Sequence, residues 1–145
     1  MEYKQLAKTN HAIGQNCFHL IWTPKYRYPV FKYEFLRTQC KDALSQAAIK
    51  HEIILHEICV EKDHVHLFAE LPTSMSLDYA FQLLKGGSSY ILRKNNPWMR
   101  KYKSLWSIGK FFRSVGAVTD EAIKNYIADS HHLSNISKSQ TRLIN

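Results

Sequence analysis

Two histidines separated by one residue, His64 and His66, are the side chains in this sequence best suited to metal chemistry. Residues two apart on a β-strand point to the same face, so both imidazoles can reach one ion while Val65 packs on the opposite side. Imidazole is a common ligand of divalent metals. A His-x-His pair taken alone is more often incidental, and two ligands do not complete a site. The spacing therefore predicts a metal site only if a third group comes from elsewhere.

A tyrosine near the end of the sequence, Tyr126, is the second candidate for chemistry. It would share one face of a helix with Ile123, Ile127 and Ser130, and Thr119 is a suitable N-cap for that helix. Periodicity alone favours a tyrosine that packs against the core. The reference pKa of a tyrosine phenol is about 10, so the phenol needs activation to act as a nucleophile at neutral pH. A metal that polarises a target phosphate could supply that activation.

Cationic and aromatic residues are interleaved between the predicted elements, and the formal net charge is +8. This charge favours a polyanionic partner, either nucleic acid or an anionic membrane. Aromatic rings stack on unpaired bases and cations attract phosphates, so the cluster favours single-stranded nucleic acid. For any one residue a solvated surface is an equal explanation. The candidate DNA-binding side chains are Lys25, Arg27, Lys85, Arg93, Lys94, Arg100, Lys101 and Lys103.

The elements that must position these residues follow from the periodicity of the apolar residues. Helices are predicted where apolar residues recur every three or four positions, at 33–50 and 77–91. Strands are predicted at 16–23, 53–60, 64–71 and 110–118. This order predicts an α+β, ferredoxin-like (split βαβ) fold, in which an antiparallel sheet carries two helices on one face. A C-terminal helix would carry Tyr126, and the other face of the sheet would be open for function or for that helix.

Two adjacent glycines, Gly86 and Gly87, interrupt the second predicted helix. Each costs about 1 kcal/mol relative to alanine in a helix interior. The sequence therefore predicts either a bend at this point or another element that approaches the helix backbone closely.

The composition indicates one globular domain over 1–145, with flexible segments at about 1–13 and 133–145. Three cysteines, Cys17, Cys40 and Cys59, form no CxxC pair, which favours buried thiols in a reducing cytosol. No apolar run approaches the roughly 20 residues of a membrane span, and the first ten residues lack the apolar core of a signal peptide. We expect a cytoplasmic protein without a membrane partner.

The order and spacing of five segments give this sequence a resemblance to a known family. It is similar to the TnpA-type transposases of bacterial and archaeal insertion sequences that move as single-stranded DNA, the single-tyrosine class with a His-hydrophobic-His (HUH) motif. The resemblance covers about residues 14–130. The segments are FHLIWTPKYR at 18–27, DHVHLF at 63–68, LKGGSS at 84–89, the stretch 109–116, and NYI at 125–127.

The resemblance implies a mechanism. His64 and His66 would bind Mg²⁺ or Mn²⁺, and Tyr126 would attack a DNA phosphate to leave a 5′-phosphotyrosine link and a free 3′-hydroxyl. Because that link stores the cleaved bond, rejoining would need no nucleotide cofactor. The resemblance also implies a homodimer that recognises hairpins in single-stranded DNA near the ends of the element. In many members of the family the tyrosine helix of one subunit completes the site of the other.

One departure from the family concerns the third metal ligand. The family usually has a glutamine four residues after the tyrosine, where this sequence has Ser130. Our prediction for the ligand is Asp129, which also shares the tyrosine's side of the helix, with Ser130, His131 or His132 as alternatives. A second departure is Lys62, where the family often has proline. Since the nucleophile and the histidine pair remain, the sequence predicts an active transposase, with a non-catalytic or domesticated single-strand nucleic-acid-binding protein of the same fold as the alternative.

Overall fold

The computed structural model describes residues 7–8 and 13–116. The predictions for Tyr126, Asp129, Ser130 and His131, and for the helix after Thr119, concern residues outside this part of the chain. His64, His66 and all the predicted DNA-binding side chains lie within it.

A short strand pair precedes the main sheet. β1 (Ala7–Lys8) and β2 (Ile13–Gly14) are antiparallel, with Ala7 opposite Gly14 and Lys8 opposite Ile13. The flexibility predicted for about residues 1–13 stays a prediction. Strands of two residues are too short to show an alternating pattern, which is why the sequence did not reveal them.

Four strands form one antiparallel sheet in the described part of the chain. In chain order they are β3 (Cys17–Trp22), β4 (Ile54–Glu61), β5 (His64–Glu70) and β6 (Phe111–Val115). Their order in space is β4-β5-β3-β6, so the first and third of the four are central. This is the strand order of a ferredoxin-like fold, and the predicted fold class is confirmed.

Two helices cover one face of the sheet. α1 (Glu34–Lys50) and α2 (Leu77–Asn95) bury their apolar sides in one cluster with Leu20 and Trp22 of β3 and with Val65 and Leu67 of β5. Ser76 caps α2, because its hydroxyl accepts a hydrogen bond from the amide of Tyr79. Within the described residues no helix is both long and apolar enough to cross a membrane.

The two glycines of α2 face different surroundings. A Cβ on Gly87 would lie 2.8 Å from the Cβ of Ala47 on α1, whereas a Cβ on Gly86 would meet nothing within 4 Å. Close approach by another element is therefore the correct alternative, and only Gly87 requires it. The helix continues through both glycines to Asn95.

Strand ends differ from the predicted ones by a residue or more. β4 is shifted by one residue to Ile54–Glu61, and its pairing with β5 contains a β-bulge between Leu55 and Glu57. β6 ends at Val115 rather than at residue 118, because its partner β3 begins at Cys17, which is paired with Val115. Cys59 on the edge strand β4 is only partly buried, which corrects the prediction of three buried thiols.

The basic stretch after α2 contributes to the core as well as to the surface. Its side chains Met99, Leu105 and Trp106 are buried. The Trp106 ring packs edge-on to Trp22, and its indole N–H donates to the hydroxyl of Ser88 on α2. The segment between α2 and β6 is therefore fixed against the helical layer.

Candidate active site

The two histidines of the HUH motif lie side by side on β5. Val65 between them is completely buried beneath the helices, so His64 and His66 point to the opposite face of the sheet. Their rings are 5.5 Å apart between centroids and nearly parallel, at 18°. Each residue is only 3% exposed. The predicted alternation along the strand is what brings the two imidazoles together.

Asp63 holds the ring of His64 in place. Its Oδ1 lies 2.8 Å from His64 Nδ1, and its Oδ2 accepts a 3.0 Å hydrogen bond from Arg27 Nε. Burial raises the pKa of the Asp63 carboxyl, but the hydrogen bond from His64 and the charge of Arg27 outweigh burial and lower that pKa overall. Because Nδ1 donates to a carboxylate, the other ring nitrogen of neutral His64 carries the lone pair.

That second nitrogen, His64 Nε2, is buried and has no hydrogen-bond partner among the described residues. A buried polar atom without a partner costs free energy, so such atoms often mark a place where a ligand binds. Carboxylate-oriented histidines are also the usual form of histidine metal ligands. His64 can therefore offer Nε2 to a metal ion.

His66 is suited to the same task. Burial, and then the charge of the neighbouring His64, lower its pKa to about 4. The imidazole is therefore neutral at pH 7, which is the form that binds metals.

Two groups on β4 lie beside His66. In the β4–β5 register Glu61 is opposite His64 and Cys59 is opposite His66. The Cys59 sulfur, a Glu61 carboxylate oxygen and a His66 ring nitrogen all lie within 4.8 Å of one another. Sequence reasoning missed both groups, although the two-residue turn between β4 and β5 could have revealed the pairing.

Of these two groups the carboxylate is the better ligand for a hard ion. Burial, and then the charge of Glu61, raise the pKa of the Cys59 thiol to about 12, so it is protonated at neutral pH. Glu61 is exposed at the end of β4 and is an oxygen donor, which Mg²⁺ and Mn²⁺ prefer. The sheet itself can therefore supply a third ligand.

A third imidazole extends the histidine pair across the sheet. His19 on β3 stacks on His66, with 5.7 Å between ring centroids and an angle of 15°. Burial, and then the charges of His66 and Arg113, lower the pKa of His19 to about 3, so the ring is neutral. Arg113 of β6 is opposite His19 in the register and is exposed. Neither His19 nor Arg113 could be recognised from sequence spacing, because each is brought here by strand pairing.

The predicted DNA-binding residues of the loop after β3 lie next to this site. Arg27 contacts the histidine site indirectly, through its ion pair with Asp63. The Lys25 ammonium lies 5.6 Å from the centroid of the Tyr26 ring. Tyr26 and Arg27 both have a left-handed backbone, with φ of 56° and 55°. Such conformations are costly for residues other than glycine and often occur at functional sites.

Two of the predicted DNA-binding cations bind the chain's own backbone. Lys85 Nζ donates to the carbonyl oxygens of Ser107, at 2.7 Å, and Gly109, at 3.2 Å. Burial, and then the charge of Lys110, lower the pKa of Lys85 to about 8. The second of these cations is Arg93, whose Nη2 donates a hydrogen bond to the carbonyl oxygen of Tyr102 at 2.9 Å. Both side chains hold the segment after α2 against that helix.

The remaining predicted cations belong to the helical layer, on the other face of the sheet from the histidines. Lys94 and Arg100 line an open cleft of about 680 Å³ beside Gly86 and Tyr90. Lys101 lies over the rings of Trp98 and Tyr102 at the edge of a second cleft of about 470 Å³. Lys103 is exposed nearby. The structure therefore groups these cations together but does not bring them to the histidine pair.

The sheet topology and the oriented histidine pair are those expected of the HUH class, and comparison with known proteins identifies the family. Residues 13–130 match the family model for IS200-like transposases. The chain therefore belongs to the IS200-like transposase family, as a TnpA-like member of the single-tyrosine class. Members of this family cut and transfer DNA strands.

Relatives and solved structures agree with this assignment. The transposase of insertion sequence IS200 from Salmonella typhimurium LT2 is 32% identical over 116 residues, covering 77% of this chain and 75% of the relative. The ISDra2 transposase TnpA of Deinococcus radiodurans is 27% identical over 130 residues, covering 88% and 92%.

Two structures share the fold. A crystal structure of a Deinococcus radiodurans R1 protein described as a transposase superposes with a TM-score of 0.69 at 25% identity, over 84% of this chain and 95% of that one. A REP-associated tyrosine transposase bound to a REP hairpin superposes with a TM-score of 0.56 over 91% and 74%, and its 12% identity supports the fold alone.

Proposed function

We propose that this transposase moves an insertion sequence as single-stranded DNA, with His64 and His66 as metal ligands and Tyr126 as the nucleophile. The observation that carries the proposal is the buried Nε2 of His64, which has no hydrogen-bond partner in the described part of the chain. Asp63 aims that nitrogen, and His66 lies parallel to it. Without a ligand this arrangement would leave a polar atom buried at a net cost.

The residues present fit a divalent metal such as Mg²⁺ or Mn²⁺. His64 and His66 supply two imidazole nitrogens, and Glu61 supplies a carboxylate from the sheet. Asp129 remains the proposed ligand from the helix predicted after Thr119, with Ser130 or His131 as alternatives. The metal would polarise the target phosphate and stabilise the charge that develops there.

The bond exchange needs no further cofactor. The Tyr126 oxygen forms a bond to phosphorus, the bond from phosphorus to the 3′-oxygen breaks, and the proton lost by the phenol passes through water to the departing 3′-oxygen. The 5′ end of the DNA is then held as a phosphotyrosine, and the 3′-hydroxyl is free. A 3′-hydroxyl from another strand then attacks the phosphotyrosine and releases Tyr126. Each step exchanges one phosphate ester bond for another, so no nucleotide is consumed.

A single-stranded DNA partner with hairpin ends fits the distribution of cations. Lys94 and Arg100 are exposed and line the cleft that contains Tyr90. Lys101 lines the cleft that contains Trp98 and Tyr102, and Lys103 is exposed. Phosphates attract such cations and unpaired bases stack on such rings. The REP hairpin in the similar structure agrees with a hairpin ligand here. We propose further that the active form is a homodimer.

A covalent trapping experiment tests the nucleophile. A single-stranded element end, incubated with the protein and Mg²⁺ or Mn²⁺, should form an adduct that survives a denaturing gel. A label on the 3′ side of the cut should shift with the protein, while a label on the 5′ side should appear as a shorter free strand. Tyr126→Phe should form no adduct, and Tyr79→Phe, which alters an exposed tyrosine of α2, should form as much as the wild type.

The alternative is a single-strand-binding protein without catalysis, and Ser130, a poorer metal ligand than the glutamine usual in the family, favours it. In that case DNA would bind without metal, and His64→Ala and His66→Ala would bind as the wild type does. An unreactive wild type, or an adduct of equal yield from Tyr126→Phe, would show that the assignment of Tyr126 is wrong.

A further inference from the structure

A second group of metal-binding side chains lies on the same face of the sheet as the histidine pair but at the other end of β5. Cys17 of β3, His56 of β4 and Glu70 of β5 each offer one ligand atom, and the three atoms lie within 4.8 Å of one another. Cys17 is 3% exposed and Glu70 6%, and the His56 side chain is also largely buried. Three separate strands contribute one residue each, so the group is assembled only by the fold.

Strand register and a β-bulge bring the three side chains together. Cys17 and Glu70 are directly opposite each other in the β3–β5 ladder. The bulge between Leu55 and Glu57 leaves His56 outside the regular β4–β5 ladder, and a bulge commonly re-aims a side chain in this way. The His56 ring packs edge-on to Phe68 at 5.5 Å between centroids, which holds it beside Glu70.

Two of the three separations between these donor atoms are close to those around a tetrahedral metal ion. Glu70 Oε1 lies 3.2 Å from His56 Nε2 and 3.7 Å from Cys17 Sγ. Ligands of tetrahedral zinc, with bond lengths near 2.0 to 2.3 Å, lie roughly 3.3 to 3.8 Å from one another. A sulfur, an imidazole nitrogen and a carboxylate oxygen are together a donor set for Zn²⁺ rather than for Mg²⁺.

We propose that Cys17, His56 and Glu70 form a Zn²⁺ site that is separate from the metal site of His64 and His66. At about 3.3 Å per residue along a strand, Glu70 is roughly 13 Å from His66, too far for one ion to use both groups. The site has three protein ligands and leaves one coordination position for water. Zinc bound here would join β3, β4 and β5 at one end of the sheet that carries the histidine pair.

Binding at this site must displace a proton. Burial, and then the charge of Glu70, raise the pKa of the Cys17 thiol to about 12, so the metal-free thiol is protonated and donates its hydrogen bond to Glu70. Zinc replaces that proton: the S–H bond breaks, a Zn–S bond forms, and the proton passes to the buffer. The metal-free group is thus a hydrogen-bonded cluster around a buried carboxylate.

Cobalt is the probe for the sulfur ligand. Metal-free full-length protein titrated with Co²⁺ should gain a thiolate-to-metal charge-transfer band whose final amplitude corresponds to one thiolate-bound Co²⁺ per chain, and Zn²⁺ should abolish the band by displacement. Cys17→Ser should lose the band and weaken Zn²⁺ binding by about 100-fold or more, since even partners outside the first shell cost 10- to 100-fold. Cys59→Ser is the matched control and should keep the band, because Cys59 lies at the other end, beside His66.

Two measurements keep the test decisive if Cys17→Ser folds poorly by circular dichroism. His56→Gln should also lose tight zinc binding, and the wild type should release about one proton per zinc at pH 7. A wild type that gives no thiolate band and no proton release, or a band that disappears with Cys59→Ser instead, overturns the proposal. Neither readout involves DNA or Tyr126, so the zinc site and the transposition mechanism succeed or fail separately.

Discussion

Replacing Asp63 by asparagine should weaken metal binding at the histidine pair without removing any metal ligand. The carboxylate of Asp63 accepts two hydrogen bonds, one to each oxygen, from His64 Nδ1 at 2.8 Å and from Arg27 Nε at 3.0 Å. An asparagine of the same shape has only one oxygen. In Asp63→Asn one of the two contacts therefore becomes unfavourable, whichever way the amide is oriented.

Both orientations of the amide disturb His64. If the amide oxygen faces Arg27, the NH₂ group faces Nδ1, and the ring must carry its proton on Nε2, which then cannot bind a metal. If the oxygen faces His64, the NH₂ group opposes the Arg27 N–H and the charge that stabilised the arrangement is lost. Loss of such a carboxylate partner typically lowers metal affinity by 10- to 100-fold, or about 1.4 to 2.7 kcal/mol.

Titration of the metal-free protein with Mn²⁺, followed by calorimetry or electron paramagnetic resonance, measures this loss directly. The rate of adduct formation should fall at low Mn²⁺ and recover at high Mn²⁺, because Tyr126 is unchanged. Asp78→Asn is the control: Asp78 is 84% exposed and pairs with Lys110 at the surface, and such pairs contribute little. An Asp63→Asn protein that binds Mn²⁺ as tightly as the wild type would show that Asp63 does not position a metal ligand.

Two further predictions concern packing and DNA contacts. Gly87→Ala should lower the free energy of unfolding by about 1 to 2 kcal/mol in urea denaturation, because overpacking against Ala47 outweighs the gain in helix propensity. Gly86→Ala should instead raise the free energy of unfolding by up to about 1 kcal/mol. Equal effects of the two changes would contradict the packing described for Gly87. Lys94→Ala and Arg100→Ala should each weaken single-strand binding and reduce the slope of log K against log salt concentration by about 0.7. The control Lys41→Ala, on α1, should leave the slope unchanged. An unaltered slope in all three variants would exclude the cleft lined by Lys94 and Arg100 from the DNA interface.

The sequence predicted well whatever depends on local periodicity. The alternation along β5 placed His64 and His66 together with Val65 behind them, and the three- and four-residue spacing identified α1 and α2. These patterns are intrinsic to one strand or one helix, so no knowledge of neighbouring elements is needed. The order of elements then sufficed for the fold class.

The sequence could not show what strand pairing brings together. His19, Arg113 and Glu61 reach the histidine face only through the order β4-β5-β3-β6 and its register. The same limit applies to the basic residues, because composition cannot separate a cation that faces DNA from one that binds a carbonyl. Lys85 has the spacing of a surface lysine, yet its ammonium group is bound to the backbone of Ser107 and Gly109.

The orientation of His64 therefore depends on residues distant in sequence. Arg27 can reach Asp63 because the loop after β3 turns through two left-handed residues, each at a cost of about 1 to 3 kcal/mol. Tertiary hydrogen bonds offset that cost: the Lys25 amide donates to the carbonyl of Leu105, and the Phe31 amide donates to that of Lys62, at the turn between β4 and β5. The segment after α2 and the β4–β5 turn thus hold the loop, the loop holds Arg27, and Arg27 and Asp63 together fix the ring. A change at any of these backbone contacts should lower metal affinity before it alters the histidines themselves.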